Sequence, residues 1–225
     1  ESRVALAHDR EAWRELIDLD ALARWMDRAG LGNGAPIERA DTLGGGTQNI
    51  LLRFDRAGRG YVLRRPPRRP RPESDEVMRR EMKVLGALAG SDVPHPGFIA
   101  GEGDPAILGT AFYLMDPVEG FNPTVALPAL HAGDPAMRRR MGEAMVDAAV
   151  ALSRIDPDRV GLGGFGKADG WVERQVPRWR AQLDGYAKLD GWTGYAALPD
   201  VDAICDWLAA NRPATMRNGL IHGDF

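Results

Sequence analysis

The sequence has a single cysteine, Cys205. One thiol can form neither an intrachain disulfide nor a cysteine metal cluster, so a reducing cytoplasm is the expected location. Histidine is also sparse: His8, His95, His131 and His222 are scattered without metal-ligand spacing. No apolar run approaches the ~18 residues of a membrane span, and the N-terminus lacks the apolar core of a signal peptide. Neither sign of charge dominates. There are 29 basic and 32 acidic residues, for a net charge of −3, which gives no general pull toward nucleic acid or an anionic membrane.

What remains is an ordinary globular composition, 44% hydrophobic and 27% charged over 225 residues. At about 150 residues per domain this suits one large domain or two small ones. The chain opens on Glu1 rather than Met and stops directly after an expected strand, so it is expected to be a piece of a longer protein. The one basic run, Arg64, Arg65, Arg68, Arg69 and Arg71, is interleaved with prolines and carries no aromatics. It reads as a nucleic-acid patch, a solvated loop or a phosphate-facing edge.

Asp18 can cap a helix to about Ala29, with Leu19, Leu22, Met26 and Ala29 at helical spacing. Ile37 to Leu43 reads as a strand. Gly44, Gly45, Gly46, Thr47, Gln48 and Asn49 follow, and then the alternating strand Ile50 to Phe54. Arg56 to Gly60 reads as a hairpin turn into Tyr61–Arg64. The glycine run is either a plain hairpin or a cradle of bare backbone N–H groups for phosphate oxygens. It has neither GxGxxG spacing nor a P-loop ending. Arg64 shares a strand face with Val62, opposite Leu63, and offers a planar fork for phosphates.

Ser74 or Asp75 can cap a helix to about Ala89. At 100° per residue Val84, Val77, Leu88, Leu85, Met78, Ala89 and Met82 form one arc, with Glu81 in its middle. A carboxylate there is costly to desolvate unless a cation meets it, and Arg64 is the nearest candidate. The other reading keeps Glu81 wet at the rim. Phe98–Gly101 and Ile107–Met115 read as strands, with Ala111–Met115 apolar enough to be central. At Asp116–Pro117 the composition shifts. The extended backbone there could read an adenine edge.

Pro135–Arg154 reads as a long helix with a methionine stripe, Met137, Met141 and Met145, suited to core packing. Trp171 to about Leu189 and Val201–Ala210, capped by Asp200, read as further helices, the last holding Cys205 as a buried thiol. Leu220–Ile221 reads as a strand end before His222-Gly223-Asp224-Phe225. A carboxylate beside a glycine past a strand end suits either a general base or a solvated turn.

Taken in order, Leu43–Asn49, Val62–Pro67, Arg80–Leu85, Phe112–Asp116 and Ile221–Phe225 resemble the aminoglycoside phosphotransferase family. The branch most similar is found as a phosphotransferase-like domain in some acyl-CoA dehydrogenases and as stand-alone bacterial proteins. The resemblance covers roughly Leu43 to Phe225. It implies an α+β, protein-kinase-like two-lobe fold. Residues 1–117 would form a nucleotide lobe with an antiparallel sheet, and 118–225 a truncated, mainly helical lobe.

The resemblance also implies an ATP-dependent O-phosphotransferase acting on a small-molecule hydroxyl. An aminoglycoside, a hydroxyacyl thioester or another metabolite would be the acceptor, and this stretch holds no acidic cluster obvious enough for a polycationic antibiotic. In that family Gly44–Asn49 would close over the phosphates, and Arg64 would bind them while pairing with Glu81. The backbone of Asp116 and Val118 would hold the adenine. Asp224 would be the base, with His222 and Gly223 positioning its loop. Arg64 stands where the family usually has lysine. The family's Mg²⁺ ligands are expected past residue 225, so no residue here is assigned to metal. A non-catalytic, pseudokinase-like nucleotide-binding module is the alternative.

Overall fold

The structure, a computed structural model, describes residues 12–43, 49–195 and 198–223. A short 3-10 turn, Ala12–Glu15, leads into helix α1, Leu19–Arg28. The Asp18 carboxylate starts the helix by accepting the Asp20 and Ala21 N–H groups, both at 2.9 Å. Leu22, Trp25 and Met26 fall at i, i+3 and i+4 and are buried. Trp13 and Ile17 join them.

Five strands follow: β1, Ile37–Thr42; β2, Ile50–Arg56; β3, Arg59–Arg65; β4, Phe98–Glu102; and β5, Phe112–Met115. They form one antiparallel sheet in the order β1-β2-β3-β5-β4. The α+β class and the antiparallel N-terminal sheet expected from the sequence are both present. The β2–β3 hairpin is tighter than expected. Arg56 pairs with Arg59, and only Ala57 and Gly58 turn, both with positive φ (50° and 75°).

Strand alternation sorts the sheet into two faces. Leu52, Phe54, Tyr61, Leu63, Phe112 and Leu114 lie against α1 in the larger core. Val62, Arg64, Tyr113 and Met115 lie on the other face by register. Helix α2, Ser74–Ala87, covers that face through Met78, with Met82, Leu85 and Phe98 around it. Val77 and Ala89, expected on the apolar arc, are exposed.

Arg56 is fully buried rather than part of an exposed turn. Its guanidinium donates to Ala35 O (2.7 Å), Ala23 O (2.9 Å), Leu31 O (3.0 Å) and Asp27 Oδ1 (2.8 Å). It thereby fastens α1 and the following loop to β2. Gly32 passes so close that a Cβ there would lie 2.6 Å from Arg56 Cδ, and its φ is +88°.

Three local expectations fail. Neither Ser74 nor Asp75 caps α2. The Asp75 carboxylate instead accepts Thr110 Oγ1 at 2.5 Å and the Ala111 N–H at 2.9 Å. That contact holds Thr110–Ala111 off the ladder, so β5 begins at Phe112 rather than near Ile107. Leu220–Ile221 is not a strand, and Ile221 is exposed. Apolar residues alone make no strand without a ladder partner, and no pairing involves this segment among the described residues.

After β5 come helices α3, Ala129–Gly133; α4, Pro135–Arg154; α5, Gln175–Gly185; and α6, Val201–Ala210. Helix α5 begins four residues later than expected. Pro177 lies in its first turn, where no amide donor is needed, and a helix started at Trp171 would have put that ring in its interior. The methionine stripe of α4 packs no core among the described residues: none of the helix is buried, and Met145 is 56% exposed. Cys205 is only half-buried. The chain divides into two compact units, with the break between Ala151 and Leu152. No helix among the described residues is long and apolar enough to cross a membrane.

Candidate active site

Strands β3 and β5 pair so that Arg64 stands opposite Tyr113 and Val62 opposite Met115. Helix α2 crosses the same face and brings Glu81 to Arg64. The contact is bidentate: Arg64 Nε to Glu81 Oε2 at 2.9 Å and Nη2 to Oε1 at 3.1 Å. The Tyr113 hydroxyl donates to Glu81 Oε2 at 3.0 Å. The two charged side chains are 28% and 29% exposed, so the pair is partly desolvated yet still meets solvent.

Burial works against the Arg64 charge. The Glu81 hydrogen bond and carboxylate charge are among the effects that outweigh it and raise the Arg64 pKa. Burial, with the Glu81 charge and hydrogen bond, pushes the Tyr113 phenol well above its usual range. It therefore stays protonated and can only donate to the carboxylate. A guanidinium has five N–H donors, of which Glu81 takes two. A fixed, permanently charged fork on a strand is a suitable seat for phosphate oxygens.

The segment after β5 leaves the sheet at Asp116. The Asp116 N–H donates to Gly97 O at 2.8 Å, and its carboxylate accepts Arg59 Nη2 at 2.8 Å. At Gly97 a Cβ would fall 2.2 Å from Asp116 Oδ2, so a larger residue there would require the carboxylate to turn aside. With that N–H taken, the carbonyl is the backbone polar group that Asp116 has left. Val118 is exposed two residues on. Glu119 then ties the segment back to β2 through Arg53 at 2.8 Å.

Asn49 is half-buried immediately before β2. Gly44, Gly45, Gly46, Thr47, Gln48 and Asp224 lie outside the described residues. His222 is exposed, and Gly223 adopts φ +84°, the left-handed turn its glycine permits. Arg64, Glu81, Asp116, Val118 and Asn49 belong to the first unit, and His222 to the second. Of the expected pairings the structure brings Arg64 and Glu81 into direct contact. Tyr113 is the partner sequence reasoning missed. The available signal was a lone phenol in an apolar interior strand, whose hydroxyl needs a partner once buried. Among the described residues no group of three or more His, Cys, Asp or Glu side chains could hold a metal ion.

A five-stranded antiparallel sheet with a strand-borne cation paired to a helix glutamate defines the kinase-like phosphotransferases. The comparisons narrow the class. The model of the phosphotransferase enzyme family matches residues 40–225, and the chain belongs to that family. It is 31% identical over 182 residues to acyl-CoA dehydrogenase family member 11 of Gallus gallus, covering 80% of this chain and 22% of that protein. Family member 10 of Mus musculus is 29% identical over 180 residues, covering 80% of this chain and 16% of that one. A Ralstonia eutropha crystal structure, provisionally assigned as an aminoglycoside phosphotransferase, superposes with a TM-score of 0.66 at 28% identity. It covers 88% of this chain and 54% of its own. The chain thus spans about half of that protein and under a quarter of these two curated relatives.

Proposed function

We propose that the chain carries the nucleotide lobe and the start of the catalytic loop of an ATP-dependent O-phosphotransferase. The reaction moves the γ-phosphoryl group of ATP to a hydroxyl of a small molecule. The bidentate Arg64–Glu81 pair carries this reading, because it holds a guanidinium in one orientation on the face beside the post-β5 segment.

In this mechanism Arg64 binds the α/β-phosphates while Glu81 and Tyr113 keep its fork from swinging. Gly44–Gln48 and Asn49 close over the phosphates through backbone N–H groups. The Asp116 carbonyl and the Val118 N–H meet the adenine edge. Asp224 takes the proton from the acceptor hydroxyl as it attacks, and His222 and Gly223 set the loop. Positioning and charge stabilisation supply most of the rate. Mg²⁺ would neutralise charge on the β- and γ-phosphates, with ligands expected past Phe225. The lobe boundary in this reading falls at 117/118, where the chain leaves β5 for a stretch without helix or strand up to residue 128.

The test is ADP release by the full natural chain with ATP, Mg²⁺ and a panel of hydroxylated small molecules. Acceptor-dependent ADP release supports the enzyme. Saturable ATP binding with no release across the panel favours the non-catalytic nucleotide-binding module.

A further inference from the structure

In the second unit, residues around the start of α5 line an open hollow of about 600 Å³, formed by Lys167, Trp171, Arg174, Gln175, Pro177 and Arg178, with the three cations exposed. Its charge is one-sided. Three cations line it, and Asp169 and Glu173 of the same segment do not. Lys167, Arg174 and Arg178 have no ion-pair partner among the described residues, whereas nearby Arg180 pairs with both Asp184 and Asp202. Arg174 is not loose: its guanidinium donates to the Asp169 carbonyl and, at 2.5 Å, to the Lys167 carbonyl. Those are neutral acceptors, so they hold the guanidinium without forming an ion pair. Gln175 Nε2 donates to the Trp171 carbonyl at 2.9 Å. The cavity therefore sets fixed positive charge beside a flat apolar surface.

We propose that this cavity binds an organic anion, with a phosphate or carboxylate between Lys167, Arg174 and Arg178 and a flat or apolar group on Trp171 and Pro177. Such a wall repels a polycation and attracts an anion.

The test needs no turnover. The full natural chain is titrated calorimetrically with phenyl phosphate, inorganic phosphate and benzylamine, without ATP. Phenyl phosphate is expected to saturate, at least threefold tighter than inorganic phosphate, and benzylamine is expected not to bind. The double variant K167E/R178E should weaken phenyl phosphate about tenfold while its affinity for ATP, titrated separately, stays unchanged, which separates the cavity from the nucleotide site. K167Q/R178Q guards against misfolding and should weaken binding severalfold at an unchanged melting temperature. No saturation, equal phenyl phosphate and inorganic phosphate affinities, equal benzylamine affinity, or unaltered binding by a folded K167E/R178E protein would each overturn the site.

Discussion

Arg64 and Tyr113 face each other across the β3–β5 ladder, and both reach the same oxygen, Oε2 of Glu81. The carboxylate is thus gripped by a cation and a neutral donor at once. The second donor matters because a carboxylate held by one partner can swing, whereas one held by two keeps the guanidinium in a single orientation.

Glu81→Gln replaces the bidentate charged contact by a neutral one and frees Arg64 to rotate. Because both side chains keep more than a quarter of their surface in solvent, the loss is discounted to about 1–2 kcal/mol. ATP affinity should fall about five- to thirtyfold, read by calorimetric titration. Unchanged affinity would mean that Arg64 does not hold the nucleotide through this pair. Tyr113→Phe should cost about 1 kcal/mol of stability and much less nucleotide affinity.

The post-β5 segment offers a contrast between side chain and backbone. The Asp116 carboxylate is spent on exposed Arg59, and such pairs contribute roughly 0–1 kcal/mol. Asp116→Ala should therefore leave ATP affinity within about threefold, since the contact proposed for the adenine is made by the carbonyl. Val118→Pro deletes an N–H and should weaken ATP about tenfold, the equivalent of one lost hydrogen bond. Equal effects of the two variants would count against backbone reading of the base.

The parts of the fold that depend on local pattern were legible. Asp18 followed by apolar residues at helical spacing gave α1 almost to the residue. Alternation put Arg64 on the Val62 face, and the 100° projection put Glu81 toward that face. What stayed hidden depends on groups distant in sequence. Asp75 lies 36 residues from Ala111, so a cap was expected where a cross-link forms. Arg56 looked like a turn residue because the carbonyls that receive it, at Ala23, Leu31 and Ala35, cannot be located from a β-hairpin pattern. Tyr113 was submerged in an apolar run, and its hydroxyl has meaning only once α2 is docked.

Asp75 gives a pH test. The Thr110 hydroxyl lowers its pKa most; burial opposes this, and the Ala111 N–H and the charges of Arg79 and Arg65 reinforce it. A carboxyl whose folded pKa is depressed adds stability above its unfolded value of about 3.9. That stability is lost as pH falls through the folded value. Melting temperatures of wild type and Asp75→Asn should differ most above pH ~5 and converge below pH ~4. A gap that is constant with pH would show that Asp75 contributes shape and not charge.

Arg56 makes the largest stability prediction. Arg56→Ala strips the donors from Ala23 O, Leu31 O and Ala35 O and leaves Asp27 without its cation. The Asp27 carboxylate is 39% exposed, so water can replace its cation; the cost comes mainly from the three carbonyls, about 1–3 kcal/mol for each one left unmet, a large share of a typical domain's ~5–15 kcal/mol. Arg56→Lys keeps the charge but cannot reach four acceptors with one ammonium, so it should recover only part of the loss. Gly32→Ala attacks the same joint from the other side, through a left-handed φ and a Cβ placed 2.6 Å from Arg56. Urea unfolding should rank the proteins wild type, then Arg56→Lys, then Arg56→Ala, with Gly32→Ala clearly below wild type. Wild-type stability in Gly32→Ala would mean that the loop relaxes away from the arginine and that Arg56 does not fix α1 to the sheet.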